Sequence, residues 1–94
     1  MNKVIFFSLW HVSKRERKKY YRDELFLKKI GLRIRQLRLQ KGMSQENLAF
    51  ECDYADFSQI NRMELGKVNF SISYLKLIAE KLNVSVTELL NFEQ

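Results

Sequence analysis

Residues 44–66 read SQENLAFECDYADFSQINRMELG, and the punctuation of this stretch decides the fold. Ser44 is a residue type whose hydroxyl accepts from the unpaired backbone N–H groups at a helix start. Leu48, Ala49 and Cys52 follow at the three- and four-residue steps of one buried helix face. Asp56 offers the same cap to a second helix, and Gln59, three residues on, completes a capping-box spacing. Ile60 and Met63 supply the buried side of that helix. Gly66 closes it, because glycine adopts the left-handed conformation of a helix C-terminus at little steric cost. The spacing predicts two short amphipathic helices joined by a tight polar turn.

Upstream, Asp23 to Lys41 carries Leu27, Ile30, Ile34 and Leu37 as one buried stripe, with Arg33, Arg35, Arg38 and Lys41 expected mainly away from it. Gly31 within this helix costs about 1 kcal/mol relative to alanine, which predicts a close approach by another helix. Gly42 ends the helix, and Met43 turns into the core. Downstream, Lys67 to Phe70 is a polar link. Ser71 caps a helix with Leu75, Ile78, Ala79 and Leu82 buried, and Asn83 terminates it. Ser85 with Glu88 opens a last short helix bearing Leu89 and Leu90. The chain has no proline and only three glycines, so helix ends are nearly its sole punctuation. The reading is an all-α, compact five-helix domain over residues 23–94, preceded by an apolar and basic N-terminal extension, residues 1–22.

The formal charge of +6 is unevenly spread. Residues 1–42 hold thirteen Lys/Arg against three acids, whereas residues 43–94 hold four against eight. This polarity suggests a basic arm meeting a polyanion beside a nearly neutral folded body. Met1 to Val12 is apolar but falls short of the roughly 18 residues needed to span a bilayer. Its basic continuation lacks the small-residue cleavage site of a secretory signal. Ser13 and Glu16 have capping-box spacing, but Lys14, Arg15, Arg17, Lys18 and Lys19 repel one another, so helicity there should be marginal without a polyanion. Tyr20 and Tyr21 could stack against a partner but are expected to pack back on the domain.

Little in the chain supports catalysis. His11 is the only histidine and lies outside the folded body, which leaves no histidine-based triad or metal cluster. The single cysteine, Cys52, falls on a buried face, excludes an internal disulfide and fits a reducing, cytoplasmic setting. No phosphate-cradling glycine loop or paired carboxylates appear. No enzyme activity, cofactor or metal is expected.

Two short helices joined by a tight link form a helix-turn-helix, whose second helix typically lies in the DNA major groove. Taken together, RIRQLRLQKGMSQENLAFE, SQINRMELGKVN and SISYLKLIAEKLNVSVTELL resemble the Cro/phage-repressor class of helix-turn-helix regulators, the XRE family. The resemblance covers about residues 28–91. It rests on the arginine-rich first helix ending in Lys41-Gly42, the Met43-Ser44-Gln45-Glu46 start, Glu64-x-Gly66-Lys67, the serine-capped fourth helix and Val84-Ser85-x-x-Glu88-Leu89. It implies five helices, sequence-specific binding of a double-stranded DNA operator as a homodimer, and transcription regulation. Asp53 stands where glycine is common, Phe70 where proline is common, and Ala49 and Ile60 are one residue further apart than usual. The extra residue falls near Tyr54 or Ala55, so contact positions are counted back from Ile60.

At 100° per residue, with Ile60 and Met63 pointing inward, Ser58 and Leu65 point outward and Asn61 and Arg62 lie within about 50° of outward. The family's base-contacting places fall on Phe57, Ser58, Asn61 and Arg62. Arg62 suits the two acceptors of guanine, Asn61 the acceptor–donor pair of adenine, Ser58 a base or phosphate, and Phe57 a thymine methyl. Gln45 is placed for a phosphate or nearby base, while Lys67, Asn69 and the first-helix arginines would contact the backbone. Glu51, Asp53 and Asp56 surround the turn and repel phosphates, so the basic arm should supply much of the attraction. Dimerisation is expected through the last helix (Leu89, Leu90, Phe92), the arm or the DNA itself. Two other readings stand beside this one. In the first, the chain is a protein-interaction module, such as the antitoxin of a toxin–antitoxin pair, with its N-terminal segment against a protein partner. In the second, set against the main reading's expectation of no membrane partner, Ile5–Trp10 and the basic run bind an anionic membrane surface.

Overall fold

The computed structural model describes residues 21–54 and 56–92. The expectations for the apolar run, for the helix opening at Ser13 and for Ala55 fall outside them. Five helices follow in order: α1 Glu24–Gln40, α2 Gln45–Glu51, α3 Ser58–Glu64, α4 Ile72–Lys81 and α5 Val86–Leu89. Their starts are set locally. Asp23 accepts from the Phe26 N–H at 3.0 Å, Ser71 from Tyr74 at 3.2 Å, and Ser85 from Glu88 at 3.0 Å. At α2 the cap is reciprocal: Ser44 Oγ accepts from the Asn47 N–H and Asn47 Oδ1 from the Ser44 N–H.

The start of α3 differs from expectation. Phe57, not Asp56, occupies the cap position, with nearly helical φ and ψ and no side-chain cap of its own. Asp56 stands one residue further out and accepts from both the backbone N–H and the hydroxyl of Ser58. It still satisfies a donor that the helix leaves unpaired. Gln59, however, becomes the second helical residue, one position short of where a capping box closes.

Helix ends use the left-handed region as the sequence implies. Gly42 and Gly66 have φ of 71° and 73°, and Asn83 closes α4 at 60°. Asp53, in the glycine place of the turn, has φ of 65°, a conformation that aspartate tolerates better than most side chains.

Helix α1 packs against α3 and α5, α2 against α3, and α4 against α5. Between them Ile34, Leu48, Ile60, Met63, Ile78, Leu82 and Leu89 are fully buried. Gly31 is where α1 crosses α3: a Cβ there would run into the backbone carbonyls of Met63 and Glu64. Three expectations need correcting. Arg38 is buried rather than turned outward, because it has an acid to pair with inside. Leu89 lies in the core and offers nothing to a second copy, whereas Leu90 and Phe92 are half-buried. Tyr21 is 83% exposed, so it is its backbone and not its ring that meets the body.

Candidate nucleic-acid interface

Helix α3 is held by its inner face. Ile60 and Met63 have no exposed surface, and Glu64 is 5% exposed. The outer face presents Ser58, Arg62 and Leu65 to solvent, with Phe57 44% exposed at its start. Asn61 is half-buried because Gln45, the first residue of α2, leans on it: Gln45 Nε2 donates to Asn61 Oδ1 at 3.3 Å and to Glu64 Oε1 at 2.9 Å. Glu64 in turn receives two bonds from Arg38, Nε to Oε2 at 2.6 Å and Nη2 to Oε1 at 3.0 Å. The remaining guanidinium nitrogen, Nη1, donates to the Met43 carbonyl at 2.8 Å.

A single chain of bonds therefore joins α1, the α1–α2 link, α3 and α2. Such forked, charge-assisted pairs are short and directional. The sequence reading missed this pair. The signal was Arg38 standing four residues after Ile34, at the border of the buried stripe, with an acid beside Met63 at the end of α3.

The two residues after Gly66 expected to touch the DNA backbone divide. The Lys67 side chain is exposed, but Asn69 Nδ2 donates to the Tyr21 carbonyl at 3.0 Å. Arg22 reaches the Lys67 carbonyl through a long 3.4 Å contact while pairing with Glu24 at 2.9 Å. These bonds bring the end of the basic extension to the loop that follows α3. Of the first-helix cations, Arg33 is also committed, donating to the Glu88 carbonyl and Gln36.

Glu51, Asp53 and Asp56 are exposed around the turn, as expected. The two bonds from Ser58 hold the Asp56 carboxyl below the usual carboxylate range. Beside them Tyr54 packs its ring on Tyr74, with centroids 5.5 Å apart. Cys52 is buried, and its burial pushes the thiol up to about 11. Among the described residues no His/Cys/Asp/Glu group is arranged to hold a metal, and no helix is long and apolar enough to cross a membrane.

A helical body that pins one face of a short second helix and exposes the other is a helix-turn-helix domain. The helix-turn-helix family pattern matches residues 34–89, and the chain belongs to that family. It is 43% identical over 64 residues to the control protein C.BamHI of Bacillus amyloliquefaciens, covering 67% of this chain and 78% of that protein. The restriction-modification controller protein C.AhdI of Aeromonas hydrophila superposes with a TM-score of 0.66 at 38% identity, covering 70% of this chain and 94% of that one. The controller protein C.Esp1396I superposes with a TM-score of 0.65 at 35% identity, over 72% and 90% of the two chains. C.Esp1396I has also been solved as a tetramer on its natural 35-base-pair operator. The extension, residues 1–22, lies outside the family match.

Proposed function

We propose that this protein is a cytoplasmic, sequence-specific regulator of transcription that binds a double-stranded DNA operator as a dimer, in the manner of the controller proteins it resembles. The observation that carries this reading is the division of α3 into a face locked to α1 and a face exposing Phe57, Ser58, Arg62 and part of Asn61. A recognition helix must be rigid on one side and free on the other, since a groove contact is only as specific as the helix is fixed.

In this reading Arg62 donates to the two acceptors of a guanine edge, Ser58 bonds a base or phosphate, and Phe57 touches a thymine methyl. Gln45 and Asn61 act at the groove edge, and Lys67 pairs with a phosphate. Asn69 contributes differently from the expectation. By bonding Tyr21 it fixes the folded body's first residues against the loop after α3, and the cations of the basic extension supply the attraction that the acids around the turn oppose.

Selection from a random duplex library tests the reading. The expected outcome is a palindromic consensus, with Arg62→Ala costing about 1–3 kcal/mol and relaxing preference at one position of each half-site. Failure of any sequence to enrich would sink it.

A further inference from the structure

Gln45 is oriented by a group that can only accept. Glu64 is a carboxylate, so the end of the Gln45 amide lying 2.9 Å from its Oε1 has to be the amino end. The other hydrogen of that amino group meets Asn61 at 3.3 Å, and only the carbonyl oxygen of Asn61 can receive it. The ordering starts with Arg38, whose fork grips both Glu64 oxygens in a side-chain pair that is 7% and 2% exposed. Arg38 fixes Glu64, Glu64 fixes Gln45, and Gln45 fixes Asn61. Two amide ends are left over: the carbonyl oxygen of Gln45, an acceptor, and the amino group of Asn61, a donor. Neither has a further hydrogen-bond partner among the described residues.

In the major groove adenine presents an acceptor, N7, beside a donor, the N6 amino group, whereas guanine presents two acceptors. An acceptor from Gln45 and a donor from its hydrogen-bonded neighbour Asn61 match adenine and set a carbonyl oxygen against guanine O6. We propose that Gln45 and Asn61 together read one A·T pair, and that Glu64 is the positioning residue that imposes their polarity without touching a base. The proposal rests on α2 and α3 facing the duplex as described above. It also alters the role of Asn61. With its carbonyl oxygen held by Gln45, Asn61 supplies only the donor half of the recognition, and the acceptor half comes from another helix.

The test uses the full chain and fluorescence-anisotropy competition between the selected consensus and its complete set of single-base-pair variants. The wild type should favour A·T over G·C at one position per half-site by roughly tenfold. Glu64→Gln, whose amide no longer dictates which end of Gln45 faces it, should reduce that preference to about twofold or less. Preferences at other positions and the salt dependence should stay unchanged, which a general loss of structure would not achieve. Asn61→Asp, which exchanges the donor for an acceptor, should abolish the adenine preference at the same position. A thermal melt establishes that Glu64→Gln is folded at the assay temperature. If it is not, Gln45→Met carries the test, because it removes the bridge and leaves the buried pair intact. Retention of the adenine preference in folded Glu64→Gln, in Gln45→Met or in Asn61→Asp overturns the proposal while leaving the DNA-binding reading intact. Absence of any consensus for the wild type overturns that reading itself.

Discussion

Replacing Arg38 by methionine keeps a long apolar stem but removes the guanidinium from Glu64, whose side chain is only 2% exposed. What remains near the carboxylate is one neutral donor, Gln45 Nε2. Removing one partner of a buried pair costs about 3–5 kcal/mol, because a charge is left without compensation in a medium that solvates it poorly. The Met43 carbonyl also loses its Nη1 donor, at roughly 1 kcal/mol. The total stability of a domain this small is about 5–10 kcal/mol. Arg38→Met should therefore lose about 40% of it or more, with Tm lowered by about 16–48 °C. The double variant Arg38→Met/Glu64→Leu separates charge from packing. Apolar replacements of a buried pair are often neutral, so stability should return to within about 2 kcal/mol of the wild type, whereas operator affinity should not. Urea unfolding followed by far-UV circular dichroism measures both variants. If Arg38→Met unfolds within about 1 kcal/mol of the wild type, the buried-charge argument is wrong.

Gly31→Ala should destabilise the fold in a thermal melt. The helix-propensity gain of about 1 kcal/mol is outweighed by overpacking of about 1–3 kcal/mol or more, because the new Cβ meets the backbone carbonyls of Met63 and Glu64. Deleting residues 1–20, which leaves Tyr21 to bond Asn69, should weaken operator binding and reduce the slope of log K against log salt by about 0.9 for each phosphate that the arm no longer neutralises. An unchanged slope would show that the basic run takes no part. Cys52, with its thiol pushed up to about 11, should resist iodoacetamide in the native protein at neutral pH and react once urea exposes it. The same shift gives a pH dependence. The folded thiol keeps its proton where the unfolded one loses it, so the contribution is full below about pH 9 and is lost as pH rises toward 11. Equal alkylation rates in native and unfolded protein would refute this.

The helix-turn-helix was legible in the chain because the features that specify it are short-range. Ser44, Ser71 and Ser85 cap at the positions where their hydroxyls lie within three residues of an unpaired N–H. Leu48, Ala49, Cys52, Ile60 and Met63 are buried as their spacing demands. The exposed positions of α3 followed from the same periodicity, so Ser58, Arg62 and Leu65 face solvent as expected. Even the close approach at Gly31 could be inferred, since a glycine inside a helix needs a reason. The start of α3 slipped by one residue because Asp56 can satisfy a donor from either of two neighbouring positions, and the sequence pattern is the same for both.

The sequence by itself determined which helices form, all but one of their starts and the faces they bury, because caps and periodicity act over one or two turns, and its motifs carried the family resemblance. Only the tertiary structure decided the fate of the polar side chains on the margins of those faces. Arg38 sits on the border of its stripe, and whether it turns in or out depends on an acid 26 residues away. Asn69 bonds a carbonyl 48 residues away, which ties its amide to the base of the arm. The directions in which Gln45 and Asn61 point depend on the same long-range pairing, since an amide shows its donor or its acceptor according to what lies behind it.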